Sequence, residues 1–101
     1  MEFKVFFRPE AAADLISIYG YIAEAANDKI ASDYIDRIEK ACMALSAFPK
    51  RGTSRDDILP GLRTIGFERR VTIAFRVLET HVEIVTIAYA GRNFEDELTN
   101  E

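Results

Sequence analysis

Cysteine and histidine are nearly missing from this chain: Cys42 and His81 are the only ones. A lone cysteine forms no internal disulfide and fits a reducing, cytoplasmic setting. One cysteine and one histidine also leave no Cys/His zinc site. Nor do they supply a nucleophile with its base, because the residue pattern puts Cys42 inside a helix and His81 in a hairpin turn. Glycine is sparse and scattered, at Gly52, Gly61, Gly66 and Gly91 in the second half, which excludes a glycine-rich phosphate loop. No apolar run approaches the roughly 18 residues of a membrane span. The opening Met1-Glu2-Phe3-Lys4-Val5 lacks the charged, apolar and cleavage regions of a signal peptide. Repeats, low-complexity segments and linkers are absent too.

What is present is an ordinary globular composition, 49% hydrophobic and 30% charged over 101 residues. That predicts one domain, residues 1–101, with a single core. The net charge of -4 has a layout: residues 1–49 carry eight acids against five bases, residues 50–92 eight bases against five acids, and residues 93–101 four acids alone. A mildly basic middle between acidic ends gives little support for polyanion binding, and no direct contact with nucleic acid is expected.

The stretch from Arg70 to Asn93 organises the rest. Val71, Ile73, Phe75 and Val77 alternate with Thr72, Ala74, Arg76 and Leu78, the period of a strand. Val82 to Tyr89 is apolar on nearly every residue, which predicts a central strand covered on both faces. Glu79-Thr80-His81 is too short for a crossover, so the two strands form an antiparallel hairpin. Ala90-Gly91-Arg92-Asn93 then leaves one arginine at the strand's end.

Before this ribbon, Phe3, Val5 and Phe7 mark a short first strand ended by Pro9, a residue well placed to open a helix. Glu10 and Asp14 carry the right sign for that helix's N-terminus, while Arg8 is a poor cap. Ala11, Leu15, Ile18, Tyr19, Ile22 and Ala26 form the buried stripe of helix one, Pro9 to about Ala26. Asp28 is placed to cap helix two, Lys29 to Phe48, whose stripe is Tyr34, Ile35, Ile38, Cys42, Leu45 and Phe48. A connection this short makes the helices an antiparallel hairpin. The turn-rich, basic segment 49–61 is the longest loop. Leu62 to Phe67 is a further strand in which Gly66 suggests a bulge or a close approach. Asn93 caps a last short helix to about Leu98. The order is β-α-α-β-β-β with a short C-terminal helix: an α+β domain, the helix hairpin packed on a mainly antiparallel sheet.

Arg63, Arg69, Arg70, Arg76 and Arg92, with Tyr89, are the residues whose chemistry stands out. Converging arginines and a tyrosine could bind a phosphodiester and stabilise charge in RNA cleavage. Equally, they could pair with Glu68, Glu83 and the tail acids at the sheet rim.

Four stretches together carry a resemblance: F-F-R-P-E-A-A-A-D-L-I-S-I-Y-G-Y-I-A (6–23), D-R-I-E-K-A-C-M-A-L-S-A-F-P (36–49), L-P-G-L-R-T-I-G-F (59–67) and V-E-I-V-T-I-A-Y-A-G-R-N (82–93). The sequence resembles the ParE branch of the RelE/ParE superfamily of bacterial toxin–antitoxin systems. The resemblance implies the layout above and a toxin that inhibits DNA gyrase. It also implies neutralisation in a hetero-oligomer by a ParD-like antitoxin whose C-terminal segment wraps it. No cofactor, no metal and no membrane contact is expected. On this reading Tyr89, Arg92, Asn93 and Phe94 face the target, and Leu15, Ile18, Tyr19, Ile22, Tyr34 and Ile38 face the antitoxin. RelE-like relatives instead cut ribosome-bound mRNA, for which Arg63, Arg70, Tyr89 and Arg92 would be the catalytic set. Against that, the tail holds no tyrosine, and the charge of -4 opposes entry into an RNA-lined site. A family member that only binds its antitoxin is a third possibility.

Overall fold

Strand and helix periodicities meet at Pro9. Phe7 ends the first strand, and the next residue with no N–H to donate opens a helix. The structure, a computed structural model, describes residues 3–89. In chain order it has β1 (Lys4–Phe7), α1 (Pro9–Ala25), α2 (Asp28–Met43), a 3-10 turn (Ala44–Ser46), β2 (Thr53–Ser54), β3 (Leu62–Phe67), β4 (Val71–Val77) and β5 (His81–Tyr89). The expected C-terminal helix falls outside the described residues.

The sheet order is β1-β5-β4-β3-β2. β2 to β5 run antiparallel to their neighbours, and β1 joins parallel to β5, with Val5 opposite Val82 and Phe7 opposite Ile84. The expected α+β architecture is observed, and β5, apolar on both faces, lies between β1 and β4. The two-residue β2 has no counterpart in the expected order. Thr53 and Ser54 are exposed, so no alternation of apolar and polar residues marks them.

The helix hairpin covers one face. Leu15, Ile18, Ile22, Ile38, Cys42 and Leu45 pack on Ile73, Phe75, Ile84 and Ile87. The other face is smaller: Leu62, Ala74, Val85 and Ala88 lie under Ile58 and Leu59 of the loop. That loop is tied by its own side chains. Asp56 accepts from the Gly61 N–H at 2.7 Å and the Ser54 hydroxyl at 3.1 Å, while Arg55 grips Asp57 with two hydrogen bonds of 3.1 and 3.0 Å.

Three local readings are corrected, and one buried charge comes to light. The α-helical winding of α2 stops at Met43, short of Phe48, and Phe48 is 73% exposed instead of on the buried stripe. The chain tightens into a 3-10 turn there before Pro49, which cannot continue a helix. Asn27, and not Asp28, caps α2, its side-chain oxygen accepting from the Ile30 N–H at 2.8 Å. Gly66 pairs regularly with Thr72, and the sheet's bulge lies in β5. There Ala74 faces Thr86 and Phe75 faces Ile84, which leaves Val85 as the extra residue. Asp14, which the sequence places near the helix N-terminus, is buried at 5% exposure. Its carboxylate accepts from the Thr86 hydroxyl at 2.5 Å and the Ile87 N–H at 2.9 Å. β1 runs out at Ile84, and beyond it Asp14 supplies the acceptor for the Ile87 N–H that a strand neighbour would otherwise give.

Candidate functional site

At the far end of β5, Tyr89 meets two other tyrosines. The extra residue Val85 shifts the alternation of β5 and puts Tyr89 on the helix-facing side of the sheet, opposite Val71. Its ring is edge-on to Tyr21 of α1 at 5.5 Å and to Tyr34 of α2 at 6.1 Å. Tyr34 also meets Phe67, the last residue of β3, at 6.2 Å. Four rings from four elements therefore close one end of the molecule.

A charged layer lies over them. The Arg37 guanidinium stands 5.2 Å from the centre of the Tyr34 ring, within cation–π range. It is held by Glu68 of the β3–β4 turn through hydrogen bonds of 2.8 and 3.1 Å. This pairing holds the Glu68 carboxyl below its usual range. Burial pushes the Tyr34 phenol up, and the nearby Tyr89 and Glu68 add to this, while Arg37 and Arg70 pull it down. The net direction is upward, so the phenol stays protonated at neutral pH and is no general base. Its hydroxyl is buried and has no hydrogen-bond partner among the described residues.

The residues of the RNA-cleavage set do not all meet here. Arg70 is exposed at the Tyr89 end. Arg63 pairs across the sheet with Phe75, four residues along β3 from the Phe67–Val71 end, a separation on the order of 13 Å at strand rise. Its guanidinium donates to the Arg51 carbonyl at 3.0 Å. Arg76 faces Glu83 at 3.6 Å, as the rim-pairing alternative has it, but Glu68 is held by Arg37 of α2. Arg92, Asn93 and Phe94 lie outside the described residues. Cys42 is closed into the core, where desolvation raises its thiol to about 12, and His81 packs edge-on to Phe6. Neither is placed for nucleophilic catalysis. Among the described residues no cluster of three metal-binding side chains occurs, and no helix is long and apolar enough to cross a membrane.

Of the residues expected to face an antitoxin, Leu15, Ile18, Ile22 and Ile38 are buried against the sheet. Tyr19 is half-buried, its hydroxyl donating to Asp28 at 3.3 Å, and Tyr34 belongs to the aromatic end. What the hairpin shows outward is a groove of about 540 Å³ lined by Phe7, Ala12, Leu15, Ile16, Tyr19 and Ile35, with Glu39 at its rim. Ile16 is 74% exposed. It was missed because it falls off the stripe of α1, and that is also its signal: a large aliphatic residue on a face otherwise open to water.

A family profile described as "ParE toxin of type II toxin-antitoxin system, parDE" matches residues 5–94. This chain belongs to that ParE toxin family. Toxin ParE3 of Caulobacter vibrioides is 42% identical to it over 53 residues, which is 52% of this chain and 53% of that protein. The match thus spans about half the length of this curated relative. A solved structure described as "Chromosomal ParDE TA system from P. aeruginosa" superimposes with a TM-score of 0.77 at 26% identity, over 88% of this chain and 97% of that one. The ParE resemblance drawn from the residues is thereby borne out, and so is the fold it implied. The profile takes in both Tyr89 and Arg92, the end of the chain expected to face a target.

Proposed function

We propose that this ParE-family chain is a toxin that binds and inhibits DNA gyrase, and that a ParD-like antitoxin holds it inactive in a hetero-oligomer. The observation that carries the first half is the layout of the arginines. Arg63 is separated from Arg70 and Tyr89 along β3, and the Tyr89 ring is packed between Tyr21 and Tyr34. A general acid–base pair around a 2′-hydroxyl needs such groups within hydrogen-bond reach of one another's substrate atoms. A surface that binds a protein does not. Family membership supports the second half, as does the apolar groove across the helix hairpin. Its shape and lining suit the apolar face of an amphipathic antitoxin helix. The exposed edge of β1, where Phe6 is 53% exposed, suits an added strand.

The test is induction of the chain alone in bacteria, with DNA and protein synthesis followed by pulse labelling in the first minutes. An early fall in DNA synthesis, with inhibition of purified gyrase in a supercoiling assay, is the expected result. An early fall in protein synthesis with cut transcripts would overturn it in favour of an endonuclease using Arg63, Arg70, Tyr89 and Arg92. Normal growth would leave only antitoxin binding.

A further inference from the structure

The β3–β4 turn is strained. Glu68 and Arg69 have φ of 47° and 65°, side by side in the left-handed region, where residues other than glycine, asparagine and aspartate are uncommon. Asn-Gly would close such a hairpin without strain. What these two residues carry instead is charge. Glu68 is held by Arg37, which braces the turn against α2. Arg69 and Arg70 are exposed, and neither guanidinium has an ion-pair partner among the described residues.

On the helix side of the same end, Tyr21 stays 60% exposed even though its ring packs on Tyr89. Gly20 precedes it in the interior of α1, and a methyl group placed there would meet none of the described residues within 4 Å. Glycine weakens a helix, and packing among the described residues gives no reason for it here. The surface at Gly20 is open to another chain.

We propose that this end, with Tyr21, Arg69 and Arg70 around the Tyr34–Tyr89 stack, docks an acidic segment of the toxin's target protein. The two guanidiniums each take a carboxylate, and Tyr21 is the apolar anchor beside the gap at Gly20. The proposal rests on the toxin reading and extends the target-facing surface from Tyr89 onto the β3–β4 turn. A protein fits better than a nucleic acid. The chain's net charge of -4 and pI near 5.0 oppose binding driven by phosphate neutralisation, whereas exposed tyrosine and arginine are the residues that dominate protein–protein contacts. Strain is tolerated where function needs the geometry, and here the turn carries two exposed cations that have no ion-pair partner among the described residues.

The test uses the full chain with Arg69→Glu/Arg70→Glu and, separately, Gly20→Leu, which fills the gap without changing charge. Growth arrest on induction, binding of the purified proteins to the purified gyrase subunits, and circular dichroism with the thermal midpoint are read together. Both variants are expected to keep the fold and to lose growth arrest, with binding weakened at least tenfold. Folded variants as toxic as the parent would overturn the proposal and leave the gyrase reading intact. If the parent arrests growth without binding gyrase, and the folded variants do not arrest it, the gyrase reading falls and the docking surface stands for another target. Parent binding to short DNA duplexes or RNA that R69E/R70E abolishes would overturn the acidic-protein partner. A parent that does not arrest growth overturns both readings.

Discussion

Asp14 and Thr86 are the buried polar residues among those described. Asp14 satisfies two donors of β5, the Thr86 hydroxyl and the Ile87 N–H. Asp14→Ala strands both in a dry site, which costs about 2–4 kcal/mol. Urea unfolding should show a lower midpoint, and an unchanged midpoint would mean water replaces the carboxylate. Glu68 makes a different kind of contribution. Arg37 lowers its pKa in the folded state, and Arg55 does the same for Asp57. A lowered carboxyl stabilises the fold above its unfolded value and loses that contribution as pH falls through the folded one. Stability should therefore decline in acid, below roughly pH 4.3. Arg37→Ala should flatten the acid side of a plot of thermal midpoint against pH. An acid limb identical to the parent's would remove Glu68 from the account. Both carboxylates are exposed, so the effect is small and is screened by salt.

At the scale of elements, the two helices depend on their ends. α1 has no side-chain cap and relies on Pro9 at its start and the sheet beneath it. α2 has Asn27, whose oxygen receives the Ile30 N–H. Asn27→Ala should cost about 1 kcal/mol, read by thermal unfolding. No loss would mean that packing of Ala31 and Ile38 alone sets the start of the helix. β5 shows how one strand serves several neighbours. It bonds β1 along residues 81–84, gains the extra residue Val85, and from there turns to Asp14 for a partner. The bulge moves Ile87 and Tyr89 onto the helix side, and this brings Tyr89 against Tyr21 and Tyr34.

At the scale of the molecule, the hairpin packs its main stripe on the sheet and has a second, smaller apolar surface uncovered among the described residues. Ile16 is its most exposed large hydrophobic residue at 74%. Ile16→Asp touches no core contact, so the thermal midpoint should move little. Binding to a ParD-like antitoxin, measured by calorimetry or co-purification, should weaken at least tenfold. Antitoxin affinity equal to the parent's would move the interface off the groove, with the β1 edge the next surface to probe. The aromatic end shares both helices through Tyr21 and Tyr34, but Ile16 is not part of it, so this variant should leave growth arrest by the free chain intact.

Much of this was legible in the residues. Period two over Val71–Val77 and the three-and-four stripes of Leu15–Ile22 and Tyr34–Leu45 are local consequences of backbone geometry, so strands, helices and the hairpin could be read directly. The doubly apolar run of β5 announced a central strand for the same reason. Tertiary structure decided what depends on residues distant in sequence. Asp14 and Thr86 are 72 positions apart, Arg37 and Glu68 are 31 apart, and no periodicity records either pairing. The same holds for the fate of the apolar stripe. Leu15, Ile18, Ile22 and Ile38 could equally have faced a partner until the sheet took them, and Ile16 was left outward because the helix has only one face to bury. A pattern states that a surface is apolar, and only the packed chain states which surface covers it.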